Sequence, residues 1–167
     1  MDRQLIEQTV ERHEGRRLTV YKDTLGNLTT GVGCLLMVNT PEGLIPVPAA
    51  QELFESLGID FKAVCNGEIA LTDQQCDEIF DHQISGAIFA ARCQLKNFNT
   101  LPDVAQAVVV DMEFNLGSTR FAEFKELIAA VEAGDFPGAA AQIKNSLWCR
   151  QVGNRCADDA RLMASAA

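Results

Sequence analysis

The chain has 167 residues, of which 47% are hydrophobic and 22% are charged. This balance is typical of a globular protein with its own core, and it excludes the disordered, fibrous and membrane-embedded classes. Because 23 Asp and Glu residues outnumber 14 Lys and Arg residues, the formal net charge is −9, which excludes nucleic-acid binding through bulk positive charge.

The N-terminus has acids at Asp2 and Glu7, where an export signal needs a cationic stretch and an apolar run. No later window predicts a membrane span. We therefore expect the chain to stay in the cytoplasm of the cell that makes it, where its six cysteines favour free thiols. A disulfide between Cys149 and Cys156 is the alternative. With no C-x-x-C pair and only two histidines, no structural metal site is expected.

The first 50 residues predict one helix and a small sheet. Asp2 is placed to cap a helix whose apolar positions recur at helical spacing until Gly15. Over residues 17–33 the pattern alternates around a turn at residues 23–26, which predicts a β-hairpin. The Pro- and Gly-rich stretch at 38–48 is expected to be turns that close this region.

The rest of the chain has helical patterns. Thr72 and Gln75 form a capping box that begins a helix running to about residue 92, and its acidic residues are interpreted as a solvated face. The further predicted helices span residues 102–116, 121–133 and 137–167, the last with an interruption at 152–154. The predicted class is α+β, with an N-terminal helix, a small antiparallel sheet and a helical lobe.

Three side chains near the hairpin could carry chemistry. Glu14 closes the first helix, Asp23 lies where the first strand meets its turn, and Thr29 stands on the returning strand. If the even-numbered face of the hairpin is buried, Asp23 and Thr29 share the opposite face. A protonated and an ionised carboxyl group are what hydrolysis of a glycosidic bond needs. Taken singly, Glu14 is more simply a helix-end acid and Asp23 a turn former, and only their combination favours catalysis.

The run over residues 14–33, with Glu14, Asp23 and Thr29 in register, resembles the T-even-type bacteriophage lysozymes (endolysins) of glycoside hydrolase family 24. Weaker likeness continues at residues 71–72, 112–117, 146–148 and 154–155. The resemblance implies one lysozyme-like domain over residues 1–167. Its expected parts are a β-containing lobe at 15–71, a helical lobe at 1–14 and 91–167, and a connecting helix at 72–92.

The resemblance also implies roles for single residues. Glu14 would be the general acid, while Asp23 would stabilise oxocarbenium charge and, with Thr29, position a water for an inverting reaction. Arg155 resembles the family arginine that pairs with the catalytic Glu. The positions that match sugar-contacting positions of the family are Leu35, Phe114 and Asn115. Neither a cofactor nor a metal is implied.

Several positions depart from the family pattern. Cys34 and Gln83 stand where the family has a histidine and its aspartate partner, so a neutral pair is expected to replace an ion pair. Leu147 replaces an arginine, and residues 152–153 replace a Thr-Pro pair. Typical members are basic, whereas this chain is acidic. We therefore expect weak long-range attraction to the anionic wall and activity that rises as moderate salt screens repulsion.

The function implied is that of a monomeric, cofactor-free muramidase. Its substrate would be bacterial peptidoglycan, and a holin would release it from the cytoplasm to the wall in the periplasm, without any physical complex. Delivery as a virion-associated or antibacterial protein is an alternative setting. The alternative from another class is a catalytically inactive peptidoglycan-binding protein of the same fold, which would need no protonatable Glu14 opposite Asp23.

Overall fold

The computed structural model describes residues 1–166 and shows helices together with a four-stranded antiparallel sheet. The helices within these residues are α1 (Arg3–Glu14), α2 (Pro48–Ser56), α3 (Phe61–Cys65), α4 (Asp73–Gln94), α5 (Asp103–Leu116), α6 (Ser118–Phe121), α7 (Lys125–Glu132), α8 (Phe136–Asn145), α9 (Leu147–Val152) and α10 (Asn154–Ala164). The strands are β1 (Arg17–Lys22), β2 (Leu28–Gly31), β3 (Cys34–Thr40) and β4 (Gly43–Pro46). The predicted α+β class is confirmed.

The chain divides into two compact units. The sheet unit comprises Glu14–Gln83, and the helical unit comprises Met1–His13 together with the described residues from Ile84 onward. Each unit has its own buried apolar side chains, including Leu36 and Phe54 in the first and Val108 and Ile143 in the second. No helix in the part of the chain that the structure describes is long and apolar enough to cross a membrane.

The predicted first hairpin is confirmed, with β1 and β2 joined by the turn at Asp23. The expectation of turns alone at residues 38–48 is wrong, because β3 and β4 form a second hairpin in which Val38 pairs with Ile45. Pro46 is tolerated there since β4 is the outer strand of the sheet, where a missing N–H breaks no ladder. The density of Pro and Gly therefore marked the ends of strands.

The two predicted caps, at Asp2 and Thr72, are confirmed. The Asp2 carboxylate accepts a 3.0 Å hydrogen bond from the Leu5 amide at the start of α1. At α4 the Gln75 amide donates to the Thr72 hydroxyl at 3.1 Å, and the Thr72 amide donates to the Gln75 side chain at 2.9 Å. The acids of α4 point outward as expected, with the side chain of Asp73 80% exposed.

The C-terminal helices are shorter than predicted. The segment 121–133 is two elements, because the chain breaks between α6 and α7, where the rings of Phe121 and Phe124 stack with centroids 6.4 Å apart. The interruption near residue 153 is confirmed at Gly153, whose φ is +56°. A second break precedes it at Ser146, whose hydroxyl accepts from the Cys149 amide and caps α9.

Cys149 and Cys156 form a disulfide, so the preference for free thiols at these two positions is wrong and the alternative is confirmed. The turn at Gly153 brings the end of α9 and the start of α10 together, with the two Cα atoms 5.0 Å apart, a separation that a disulfide can bridge. The cysteines that remain free are Cys34, Cys65, Cys76 and Cys93.

Candidate functional site

Glu14 is the last residue of α1, and its half-buried carboxylate lies against the backbone of Gly33. A Cβ atom built on Gly33 would stand 2.7 Å from Glu14 Oε2, and the backbone of Gly33 has a φ of +65°. Glycine is therefore required at this position twice, once for its conformation and once for the space that the carboxylate occupies.

Asp23 follows β1 directly and organises the turn. Its carboxylate accepts hydrogen bonds from the amides of Leu25 and Asn27 at 2.8 and 2.9 Å and from the Asn27 side chain at 2.8 Å. Desolvation acts to raise the pKa of Asp23, but these hydrogen bonds outweigh it and hold the pKa below its ordinary value. The turn thus presents an ionised carboxylate.

Thr29 is buried on β2 and lies between Tyr21 of β1 and Leu35 of β3 in register. Residues opposite each other in a sheet project from the same face, so these three side chains form one row across the sheet. Leu28 is buried as well, which means that both faces of β2 are covered. The predicted Thr29 and Leu35 are therefore neighbours on one surface of the sheet unit.

Tyr21 links the two carboxylates, and no role was predicted for it. Burial raises the pKa of its phenol, the carboxylates of Glu14 and Asp23 raise it further, and Arg17 opposes them from 4.5 Å above the ring. One phenol therefore lies within electrostatic reach of both acids. A signal was available, since Tyr21 is the only tyrosine of the chain and falls between them in sequence.

Cys34 and Gln83, the two departures from the family pattern, both lie in the sheet unit as neutral side chains. Burial, with the nearby thiols of Cys76 and Cys65, raises the pKa of Cys34 to about 12. The Oε1 atom of Gln83 is buried and has no hydrogen-bond partner within residues 1–166. Both positions therefore hold uncharged side chains, as the expected neutral pair requires.

The remaining predicted contact residues, Phe114 and Asn115, are in the helical unit at the end of α5. Asn115 is exposed, and its side-chain oxygen accepts a 2.8 Å hydrogen bond from the indole N–H of Trp148. Trp148 is buried and packs edge-on against Phe124, so it belongs to the core of the helical unit. Beside it lies a pocket of about 720 Å³ with a lining of polar and apolar side chains.

Arg155 is buried in the helical unit, where it binds Asp111. Its Nε donates to Asp111 Oδ2 at 2.8 Å, and a terminal nitrogen donates to Oδ1 at 2.9 Å. The His13 ring faces Asp111 at 3.1 Å and Asp158 at 3.3 Å. Asp111 was missed, although a lone charge inside the apolar run at residues 107–112 could have indicated it.

His13, Asp111 and Asp159 place one potential ligand atom each within 4.8 Å of one another. The set does not suit a metal ion, because Arg155 already binds both Asp111 oxygens and its positive charge opposes a second cation. The same three groups can instead bind a proton, because a proton does not need additional ligands.

A sequence profile of the family described as phage lysozyme matches residues 11–158. Two proteins of Dictyostelium discoideum, "Probable T4-type lysozyme 2" and "Probable T4-type lysozyme 1", are each 26% identical over 153 residues, which cover 90% of the chain and 88% of each relative. "Pre-baseplate central spike protein Gp5" of Enterobacteria phage T4 is 25% identical over 155 residues, which cover 89% of the chain and 25% of that protein. The family match includes Glu14, Asp23, Thr29 and Arg155.

Proposed function

The chain belongs to the phage lysozyme family, and on that premise we propose that it is a muramidase. It would hydrolyse the β-1,4 bond between N-acetylmuramic acid and N-acetylglucosamine in bacterial peptidoglycan. Family membership supports a lysozyme-type glycoside hydrolase. The bond that is cleaved, the catalytic residues and the inversion of the anomeric configuration are proposed here in addition.

The observation that carries the proposal is the contrast between two carboxylates of the sheet unit, Glu14 at the end of α1 and Asp23 in the turn after β1. Their surroundings differ, since Asp23 receives three hydrogen bonds within its turn and Glu14 lies half-buried against Gly33. Two carboxyl groups in contrasting environments are the usual basis for acid and base roles in glycosidases.

In the proposed reaction Glu14 donates a proton to the glycosidic oxygen as the bond breaks. The ionised Asp23 stabilises the oxocarbenium charge that develops on the sugar ring. The hydroxyl of Thr29, in the same row as Tyr21, holds a water for attack from the opposite face. Asp23 accepts the proton that the attacking water loses, and attack by water without a covalent intermediate inverts the anomeric configuration. Arg155 supports Glu14 in this scheme, as the family resemblance implies.

The substrate is bound in this proposal by Leu35 beside Thr29 and by Phe114 and Asn115 at the end of α5. Leu35 is half-buried and in register with Thr29, so a sugar that reaches the hydroxyl also meets an apolar side chain. Asn115 is exposed and fixed by Trp148, which leaves its amide nitrogen able to donate to a sugar or peptide oxygen.

The biological setting proposed is bacterial lysis by a monomer that waits in the cytoplasm until a holin lets it reach the wall in the periplasm. Virion-associated or antibacterial delivery remains the alternative setting, and the position of the gene beside holin or tail genes separates the two. A catalytically inactive peptidoglycan-binding protein is the alternative function, and it is separated by turnover.

The test is release of reducing ends from purified sacculi by the wild-type protein and by Glu14→Gln. Loss of the general acid should lower turnover by about 10²–10⁴-fold with an unchanged circular dichroism spectrum. Glu7→Gln is the matched control, because Glu7 lies on the same helix and pairs with Arg3, and it should retain activity. Binding of sacculi by the wild type without any release would support the inactive alternative.

A further inference from the structure

The helical unit buries a charged cluster to which three of its helices contribute. Asp111, at the centre, is fully buried on α5, and Asp159 on α10 is fully buried as well. The side chains that form this cluster are Arg12, His13, Asp111, Arg155, Asp158, Asp159 and Arg161. Charged groups are rarely this deep unless their arrangement serves a purpose beyond stability.

Asp111 makes more polar contacts in this cluster than a simple ion pair requires. Besides the two bonds from Arg155 and the contact with His13, its backbone oxygen accepts a third Arg155 hydrogen bond at 3.2 Å. A guanidinium bound through two side-chain oxygens and one backbone oxygen has a fixed plane and direction. The position of Arg155 is therefore set by Asp111.

Asp159 completes the surroundings of Asp111. Neither Asp159 oxygen has a hydrogen-bond partner within residues 1–166, and the nearby Asp111 carboxylate is itself only an acceptor. Burial and the charge of Asp111 raise the pKa of Asp159 to about 9. At neutral pH Asp159 thus carries a proton that it can donate to Asp111, which leaves one negative charge opposite Arg155.

The cluster is connected to Glu14, the proposed general acid, through the end of α1. His13 immediately precedes Glu14 and belongs to the same last turn of α1. Next to it, Arg12 binds Asp158 at 2.7 Å, and Asp158 also binds Arg161, so the end of α1 is held from more than one side. Arg155 is the residue that the family resemblance pairs with Glu14. Asp111 contacts both His13 and Arg155.

We propose that Asp111 is a positioning residue for the muramidase reaction: its buried carboxylate holds Arg155 and His13, and through His13 it fixes the end of α1 that carries Glu14. This inference rests on the proposed function. Asp111 touches no substrate in this account, and its effect is exerted on the orientation of the acid.

The experiment compares Asp111→Asn with Asp159→Asn, two isosteric changes in the same buried cluster. In Asp111→Asn the charge that holds Arg155 is lost, whereas an amide at 159 can still donate to Asp111 as the protonated acid does. We expect Asp111→Asn to lower kcat on soluble peptidoglycan fragments by about 10²-fold, because displacement of an acid by about 1 Å has an effect of that size. KM should stay within about twofold, as expected when the loss is confined to the transition state.

The pH profile of kcat distinguishes a positioning role from a merely structural one, because loss of a merely structural residue would not change the profile. Loss of the Asp111 charge changes the electrostatic surroundings of the end of α1, so the alkaline limb should shift in Asp111→Asn. Asp159→Asn should keep the wild-type limb and a kcat within about twofold of wild type. Equal losses in both variants, or a folded Asp111→Asn with wild-type kcat and profile, would overturn the inference.

A second variant covers the case in which Asp111→Asn does not fold. His13→Gln leaves the bonds between Asp111 and Arg155 intact and removes only the link to α1, so a smaller fall in kcat is expected. Wild-type kcat and pH profile in His13→Gln would then reject the inference. Glu14→Gln is measured in parallel: if it stays active, the proposed function fails, whereas an inactive Glu14→Gln beside a wild-type Asp111→Asn rejects the positioning role alone.

Discussion

The two units of the molecule hold their carboxylates in opposite ways. In the sheet unit, Asp23 and Glu14 are partly accessible, and Asp23 is kept ionised by a turn of a few residues. In the helical unit, Asp111 and Asp159 are wholly buried. The negative charge of Asp111 is balanced by Arg155, and Asp159 is neutralised by a bound proton. In the function proposed above, the accessible acids of the first unit react with the substrate, and the buried acids of the second unit orient their neighbours.

The largest effect is expected from Gly33→Ala, which tests the sheet unit. Gly33 and Gly15 both have positive φ values, of +65° and +72°, so an alanine strains the backbone at each by a similar amount. Only at Gly33 would the new methyl group displace the Glu14 carboxylate, since nothing lies within 4 Å of a Cβ at Gly15. Turnover of sacculi should fall about 10²-fold in Gly33→Ala and little in Gly15→Ala.

Equal activity of these two variants in the same reducing-end assay would contradict the assignment of chemistry to Glu14. Their thermal midpoints serve as the control, because both should show the common strain penalty of roughly 1 kcal/mol.

The next effect is expected from reduction of the disulfide, which tests the helical unit alone. The bridge from Cys149 to Cys156 closes a short loop in the unfolded chain, and for this length loop closure is worth about 2–3 kcal/mol of unfolding free energy. Urea denaturation with and without a reductant should show that difference. In Cys149→Ser the reductant should have no effect, and an unchanged midpoint in the wild type would contradict the expectation.

The smallest effect, counted per pH unit, is a dependence of stability on pH that requires Asp159. With its pKa raised to about 9 in the folded state and near 3.8 when unfolded, the folded protein binds the extra proton between these values. Stability from this group is therefore complete at low pH and is lost as pH rises through that window, by at most about 1.4 kcal/mol per pH unit. Asp111, with a lowered pKa, contributes in the opposite sense and loses its contribution only in acid.

Asp159→Asn should remove the decline, so its unfolding free energy should vary less with pH than that of the wild type. Urea titrations at several pH values between about 5 and 9 measure the slope. The same slope in Asp159→Asn and wild type would show that another group is responsible. Asp158→Asn is the control, because the Arg161 hydrogen bond lowers the pKa of Asp158 and places its titration in acid.

Local patterns allowed the starts of α1 and α4 and the first hairpin to be predicted. The cap at Asp2, the capping box at Thr72 and the first hairpin depend on neighbours within a few residues, so the sequence contains their whole cause. The second hairpin was missed because Pro41 and Pro46 resemble loop residues until the edge position of β4 is known. Position in a sheet is a tertiary property that no short window contains.

The buried cluster lay beyond sequence reasoning for a related reason. Asp111 meets Arg155 across 44 residues and His13 across 98 residues, so its partners could not be chosen from spacing alone. The disulfide was missed because the chain was judged by its predicted compartment, whereas the turn at Gly153 decides whether two cysteines seven residues apart can meet. The resemblance to a lysozyme family supplied Arg155, and the structure supplied the carboxylate that holds it.

The central claim, that this chain hydrolyses the muramic acid bond, is tested most directly by chromatography and mass spectrometry of the fragments made from purified sacculi. The account predicts fragments that end in reducing N-acetylmuramic acid, released by the wild type and absent with Glu14→Gln. Fragments that end in the anhydro form, fragments cut at another bond, or no fragments at all from a folded wild-type protein would contradict it.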